Sequence, residues 1–116
     1  MKIRIKDNSI RFRLTQPEVS ELSRDGMVSS VTQFVDRPFV YLIEKTKDEV
    51  LSAVFIENRI VMKIPEAMVQ ELVSTDTVGF SGEVGMVKLL VEKDFVCIDN
   101  TIEDQSDNYP NPNMKC

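Results

Sequence analysis

The chain has 116 residues, a formal net charge of −5 and 42% hydrophobic residues, a composition that suits one compact domain with a single core. It contains no His, which removes Ser-His and Cys-His nucleophile pairs and the commonest metal ligand. The acidic balance argues against nucleic acid as a partner, and no apolar run is long enough to span a membrane.

The first stretch, "KIRIKDNSIRFRL" at 2–14, reads as a β-hairpin. Ile3, Ile5, Ile10, Phe12 and Leu14 alternate with Lys2, Arg4, Lys6, Arg11 and Arg13, the period of a strand with two unlike faces. Asp7-Asn8 suits a two-residue turn, because both residue types tolerate positive φ. That turn sets Ile5 against Ile10 and Ile3 against Phe12; on the other face it sets Arg4 against Arg11 and Lys2 against Arg13. The charged, alternating start has no signal-like apolar run, which predicts a cytoplasmic protein with reduced thiols.

Thr15-Gln16-Pro17-Glu18 then opens a helix. Thr15 caps the first amides, Glu18 reaches back, and proline suits a first turn. Val19 and Leu22 form its apolar stripe and Gly26 ends it. Strands are expected at about 27–35 and 39–45, separated by Asp36-Arg37-Pro38, with "TKDE" at 46–49 as a polar loop.

"AVFIENRIVMKI", 53–64, is a second hairpin turning at Glu57-Asn58, with Leu51, Ala53 and Phe55 facing Ile64, Met62 and Ile60. "PEAMVQEL", 65–72, is a second helix with Pro65 in its first turn. "TVGFSGEV" and "GMVKLLVEKDFVCI" supply further strands, with breaks at Gly85 and around Lys93-Asp94. Shifted by 50 positions, "IKDNSIRFRL" overlies "FIENRIVMKI", and each hairpin leads into Pro-Glu and then Glu-Leu. The pattern predicts an α+β fold, mainly antiparallel: a duplicated ββαββ of eight strands and two short helices closing into a barrel-like sheet. The domain is expected to fill 1–98, with halves at about 1–45 and 50–98, and 99–116 to form an acidic extended tail, either tied to the body by Tyr109 or loose.

Like charges on adjacent strands repel by on the order of 3 kcal/mol at about 5 Å and an effective dielectric near 20. The pairs Arg4/Arg11 and Lys2/Arg13 therefore need compensation: from water, from carboxylates such as Glu44 and Glu92, or from an anionic ligand, since Arg forks suit phosphate and carboxylate oxygens. Were the strands to close into a barrel with the helices outside, the cationic face would line its interior. The matching face of the second hairpin adds Arg59 and Lys63, and Lys88 and Glu92 share a face later on. The candidate anion-binding set is thus Lys2, Arg4, Lys6, Arg11, Arg13, Arg59 and Lys63. The reading is a module for a phosphate- or carboxylate-bearing small molecule; the alternative is a structural or interaction domain whose basic face is neutralised by its own acids or by a partner.

Cys97 and Cys116 are the only thiols. A disulfide would close a loop of about 20 residues and contribute roughly 3 kcal/mol, but a reducing compartment favours a buried Cys97 and a free Cys116. Structural zinc wants four Cys or His ligands, so no metal is assigned. Asp99, Glu103, Asp104 and Asp107 are available to neutralise the basic face in cis. The glycines are scattered and open no phosphate-binding helix, no spacing selects a carboxylate pair, and neither a catalytic residue nor a cofactor is expected. The sequence leaves the oligomeric state open.

Two resemblances bear on this. A duplicated strand-and-helix unit closing around a basic channel resembles the triphosphate-tunnel (CYTH-like) fold, which would imply an organic-phosphate or triphosphate hydrolase. Of its Glu-x-Glu-x-Lys signature, Lys2-Ile3-Arg4-Ile5-Lys6 keeps only the final lysine. "KIRIKDNSIRFRLTQPEV" and "VEKDFVCIDNTIEDQSDNYPNP" resemble a family of short bacterial proteins that is a domain of unknown function, which implies a bacterial source and transfers no activity.

Overall fold

Both hairpins form where the alternation places them. In the computed structural model, which describes residues 1–95 and 109, β1 (Lys2–Lys6) and β2 (Ser9–Leu14) flank the first turn, and β5 (Ser52–Ile56) and β6 (Arg59–Pro65) the second. Asp7 and Glu57 hold the corresponding turn positions in the left-handed region, at φ 50° and 55°. β1 pairs with β2 in the expected register, Arg4 opposite Arg11 and Lys2 opposite Arg13.

Each hairpin runs into a helix, α1 (Gln16–Asp25) or α2 (Glu66–Ser74). The α1 start follows its capping signal: the Thr15 N–H donates to Glu18 Oε1 at 2.9 Å. Gly26 ends it at φ 84°, its N–H donating to the Leu22 carbonyl at 3.0 Å; only glycine holds that conformation without strain. β3 (Met27–Gln33) and β4 (Pro38–Thr46) complete the first half, β7 (Gly79–Val84) and β8 (Val87–Lys93) the second. The element order is ββαββ twice over.

The halves exchange hairpins. One sheet has the order β1-β2-β8-β7 and the other β3-β4-β6-β5, so each joins the first hairpin of one half to the last of the other. The joints are parallel, β2 with β8 and β4 with β6, and every other pair is antiparallel. We call the first sheet A and the second sheet B.

The equivalence extends to side chains. Glu44 and Lys45 lie just before the last residue of β4, as Glu92 and Lys93 close β8, and both lysines close a helix: Lys45 Nζ donates to the Ser23 carbonyl at 2.8 Å, Lys93 Nζ to the Thr75 carbonyl at 2.9 Å. An ammonium beside the last carbonyls of a helix satisfies an orphan acceptor and opposes the negative end of the dipole.

The two sheets pack together without closing into a barrel. The interior is apolar: Phe12, Leu14, Ile43, Met62, Ile64, Leu89 and Val91 are almost wholly buried, joined by Val19 and Leu22 of α1 and Val69 and Leu72 of α2. Phe12 and Tyr41 meet edge-to-face across the sheets at 5.9 Å. The expected cation-lined lumen is corrected here. Period two allows each strand one buried face, and the apolar side chains fill the interior, so the cations turn outward.

Of the expected tail, Tyr109 lies against the body: its N–H donates to the Asp94 carbonyl at 2.7 Å, its ring lies 5.8 Å from that of Phe95, and Lys93 Nζ sits 4.9 Å from its centroid. Burial raises the pKa of its phenol. Cys97, Cys116, Asp99, Glu103, Asp104 and Asp107 lie outside the described residues.

Candidate anion-binding face

The registers of sheet A arrange its outward side chains in three rows. One row reads Lys2, Arg13, Glu92, Gly79; the next Arg4, Arg11, Leu90, Ser81; the last Lys6, Ser9, Lys88, Glu83. Six cations therefore share a face with two carboxylates. The parallel joint makes this possible, because β8 brings Lys88 and Glu92 alongside the first hairpin from the far end of the chain.

Glu92 answers part of the charge. One of its oxygens lies 3.0 Å from Arg11 Nε and 3.9 Å from Arg13 Nε, so a single carboxylate serves two guanidinium groups. The Arg11 Nε and Glu92 Oε1 atoms are shielded from water yet misaligned for a hydrogen bond; the contact is ionic and leaves hydrogen-bonding capacity over. At the rim, Lys2 Nζ lies 3.1 Å from Asp94 Oδ2. Arg4, Lys6 and Lys88 are exposed and make no ion pair among the described residues.

Beside these cations the face is hollowed. Ser9, Ser81, Glu83, Lys88 and Leu90 border an open depression of about 350 Å³, and Gly79, Ser81, Leu90 and Glu92 a second of about 230 Å³. Both border Ser81, and the second also Gly79, positions of β7 where larger side chains would fill the surface. Gly79 has a further constraint: a Cβ there would sit 2.2 Å from the Val91 carbonyl oxygen.

Of the seven residues named from sequence, the structure brings five together: Lys2, Arg4, Lys6, Arg11 and Arg13. Arg59 and Lys63 lie on the outward face of sheet B, in register with Val40 and Glu44. They do not join the set, because the second hairpin belongs to the other sheet. Lys88 takes their place, through its pairing with Ser9. Its only sequence signal was that it shares a strand face with Glu92. Asp94 had none, since its contact with Lys2 depends on how β8 ends. Glu92 serves as an interleaved acid; Glu44, named with it, belongs to sheet B. No group of three or more metal-binding side chains occurs among the described residues, and none of their helices is long and apolar enough to cross a membrane.

Fold and site together define a two-sheet α+β protein that carries a cationic sheet face. The chain belongs to the family of unknown function DUF7009, whose model matches residues 1–113. No curated protein and no solved structure matches it.

Proposed function

We propose that the outward face of sheet A binds a phosphate- or carboxylate-bearing small molecule, in the bacterial cytoplasm. The observation that carries this is the Arg4–Arg11 pair: two guanidinium groups directly opposite on adjacent strands, with Glu92 held by Arg11 and Arg13 and nothing described answering Arg4. An anion between β1 and β2 would convert a repulsive arrangement into forked, charge-assisted hydrogen bonds. Arg4, Arg11 and Arg13 would take its charged groups, Lys6 and Lys88 would complete the rim, and the hollow over Ser81 and Leu90 would receive the body of the molecule.

A second reading has its own support. The Lys2–Asp94 and Arg11–Glu92 contacts favour a surface neutralised from within, as in an interaction domain. Amide chemical-shift mapping with tripolyphosphate separates the two. Ligand binding moves β1, β2 and β8 resonances saturably, whereas shifts spread evenly over surface lysines, or none, reject it.

A further inference from the structure

Sheet B offers the same scaffold with opposite chemistry. Where sheet A carries Arg4, Lys6 and Arg11, the equivalent positions of sheet B carry Val54, Ile56 and Val61. Its outward rows read Ser52, Lys63, Glu44, Met27; then Val54, Val61, Leu42, Ser29; then Ile56, Arg59, Val40, Val31. Met27, Val31, Val54 and Ile56 are 47%, 51%, 38% and 53% exposed. These four flank, on the two outer strands, the partly buried Val40 and Val61 and a Leu42 that is 8% exposed; exposed apolar side chains gathered on one sheet face mark an association surface.

We infer that this face is the interface of a two-fold homodimer. The charges on it identify a second copy as the occupant. Glu44 and Lys63 lie opposite each other in the β4–β6 register, and among the described residues neither makes an ion pair. Sheets stack face to face with their strands nearly aligned. A two-fold axis running along the strands between β4 and β6 sets β4 of one copy over β6 of the other and keeps each row in place. Lys63 then meets Glu44 of the second copy, and Glu44 meets its Lys63. In the last row Ile56 meets Val31 of the second copy, both about half exposed; in the middle row Val61 lies over Leu42 of the second copy, which its own chain already covers to 8% exposure. Arg59 lies at the open end, where its stem covers Val40 of the second copy and its head stays in water. The interface is self-complementary, as an isologous contact must be. The alternative axis, across the strands, would set Lys63 over Arg59 and is disfavoured by like charge.

Analytical ultracentrifugation of the whole chain, over concentrations up to about 1 mM, tests this with two charge reversals. The wild-type chain is expected to dimerise. Glu44→Lys and Lys63→Glu should each weaken the dimer at least about tenfold, because two like-charged contacts replace two attractive ones. An equimolar mixture of the two variants should recover a heterodimer, and the double swap should recover the homodimer. Recovery also shows that both variants fold. A wild-type chain monomeric throughout, single variants as dimeric as wild type, or a mixture that stays monomeric would each overturn the proposal.

Discussion

Replacing Arg4 by Met should stabilise the protein while weakening its hold on anions. Arg4 lies directly opposite Arg11 and has no described counter-ion. Two unit charges about 5 Å apart repel by roughly 3 kcal/mol at an effective dielectric of 20 and by about 0.8 kcal/mol in bulk water. Arg4 is exposed, so the lower figure governs, and the expected gain is about 0.5–1 kcal/mol. For a domain of this size that raises the melting temperature by about 2–4 °C. Urea denaturation at low salt measures it, and the gain should shrink towards zero at about 0.5 M salt, where the screening length falls to a few ångströms. In the same variant tripolyphosphate should bind severalfold more weakly. A loss of about 1 kcal/mol or more would refute the reasoning, because it would mean that Arg4 already holds an acid within the chain.

The same electrostatics predict the reverse for Glu92. Glu92→Gln removes the carboxylate shared by Arg11 and Arg13 and should cost about 1–2 kcal/mol, allowing for solvent around a partly exposed pair; sulfate should then restore more stability to the variant than it adds to wild type, and equal responses would count against a shared site. Lys93→Met should cost about 2–3 kcal/mol in denaturant titrations, since a buried ammonium leaves both the Thr75 carbonyl and the Tyr109 ring. Lys45→Met, at the half-exposed equivalent, should cost less, and the opposite order would break the equivalence of the halves. Gly79→Ala should lose about 2–4 kcal/mol, because the new Cβ meets the Val91 carbonyl; a neutral result by calorimetry would show that β7 can shift at no cost.

What the sequence made legible was local. Hairpin register follows from a two-residue turn and strict alternation, so the Arg4–Arg11 and Lys2–Arg13 pairs could be read from the first fourteen positions. The α1 boundaries follow from Thr15, Glu18 and Gly26. The partners across the halves were not legible. Nothing in "SIRFRL" or "VKLLVEK" says that the strands pair in parallel, and a parallel joint between segments some eighty positions apart carries no turn signal. That one pairing brought in Lys88 and Glu92 and left Arg59 and Lys63 on the other sheet. The direction of the cationic face is not legible for a related reason: alternation shows that one face of a strand is apolar, and only the packing of the two sheets shows that this face fills the interior.

The most direct test of the anion-binding account is a thermal-shift titration with tripolyphosphate, ATP and citrate at low and at physiological salt, on the wild-type chain and on a variant carrying Arg4→Met and Arg11→Met. Ligand at about 100 times Kd adds roughly 2.7 kcal/mol to stability. The account predicts a saturable rise in melting temperature that survives physiological salt and disappears in the double variant. No rise with any of the three anions, or the same rise in both proteins, would contradict it.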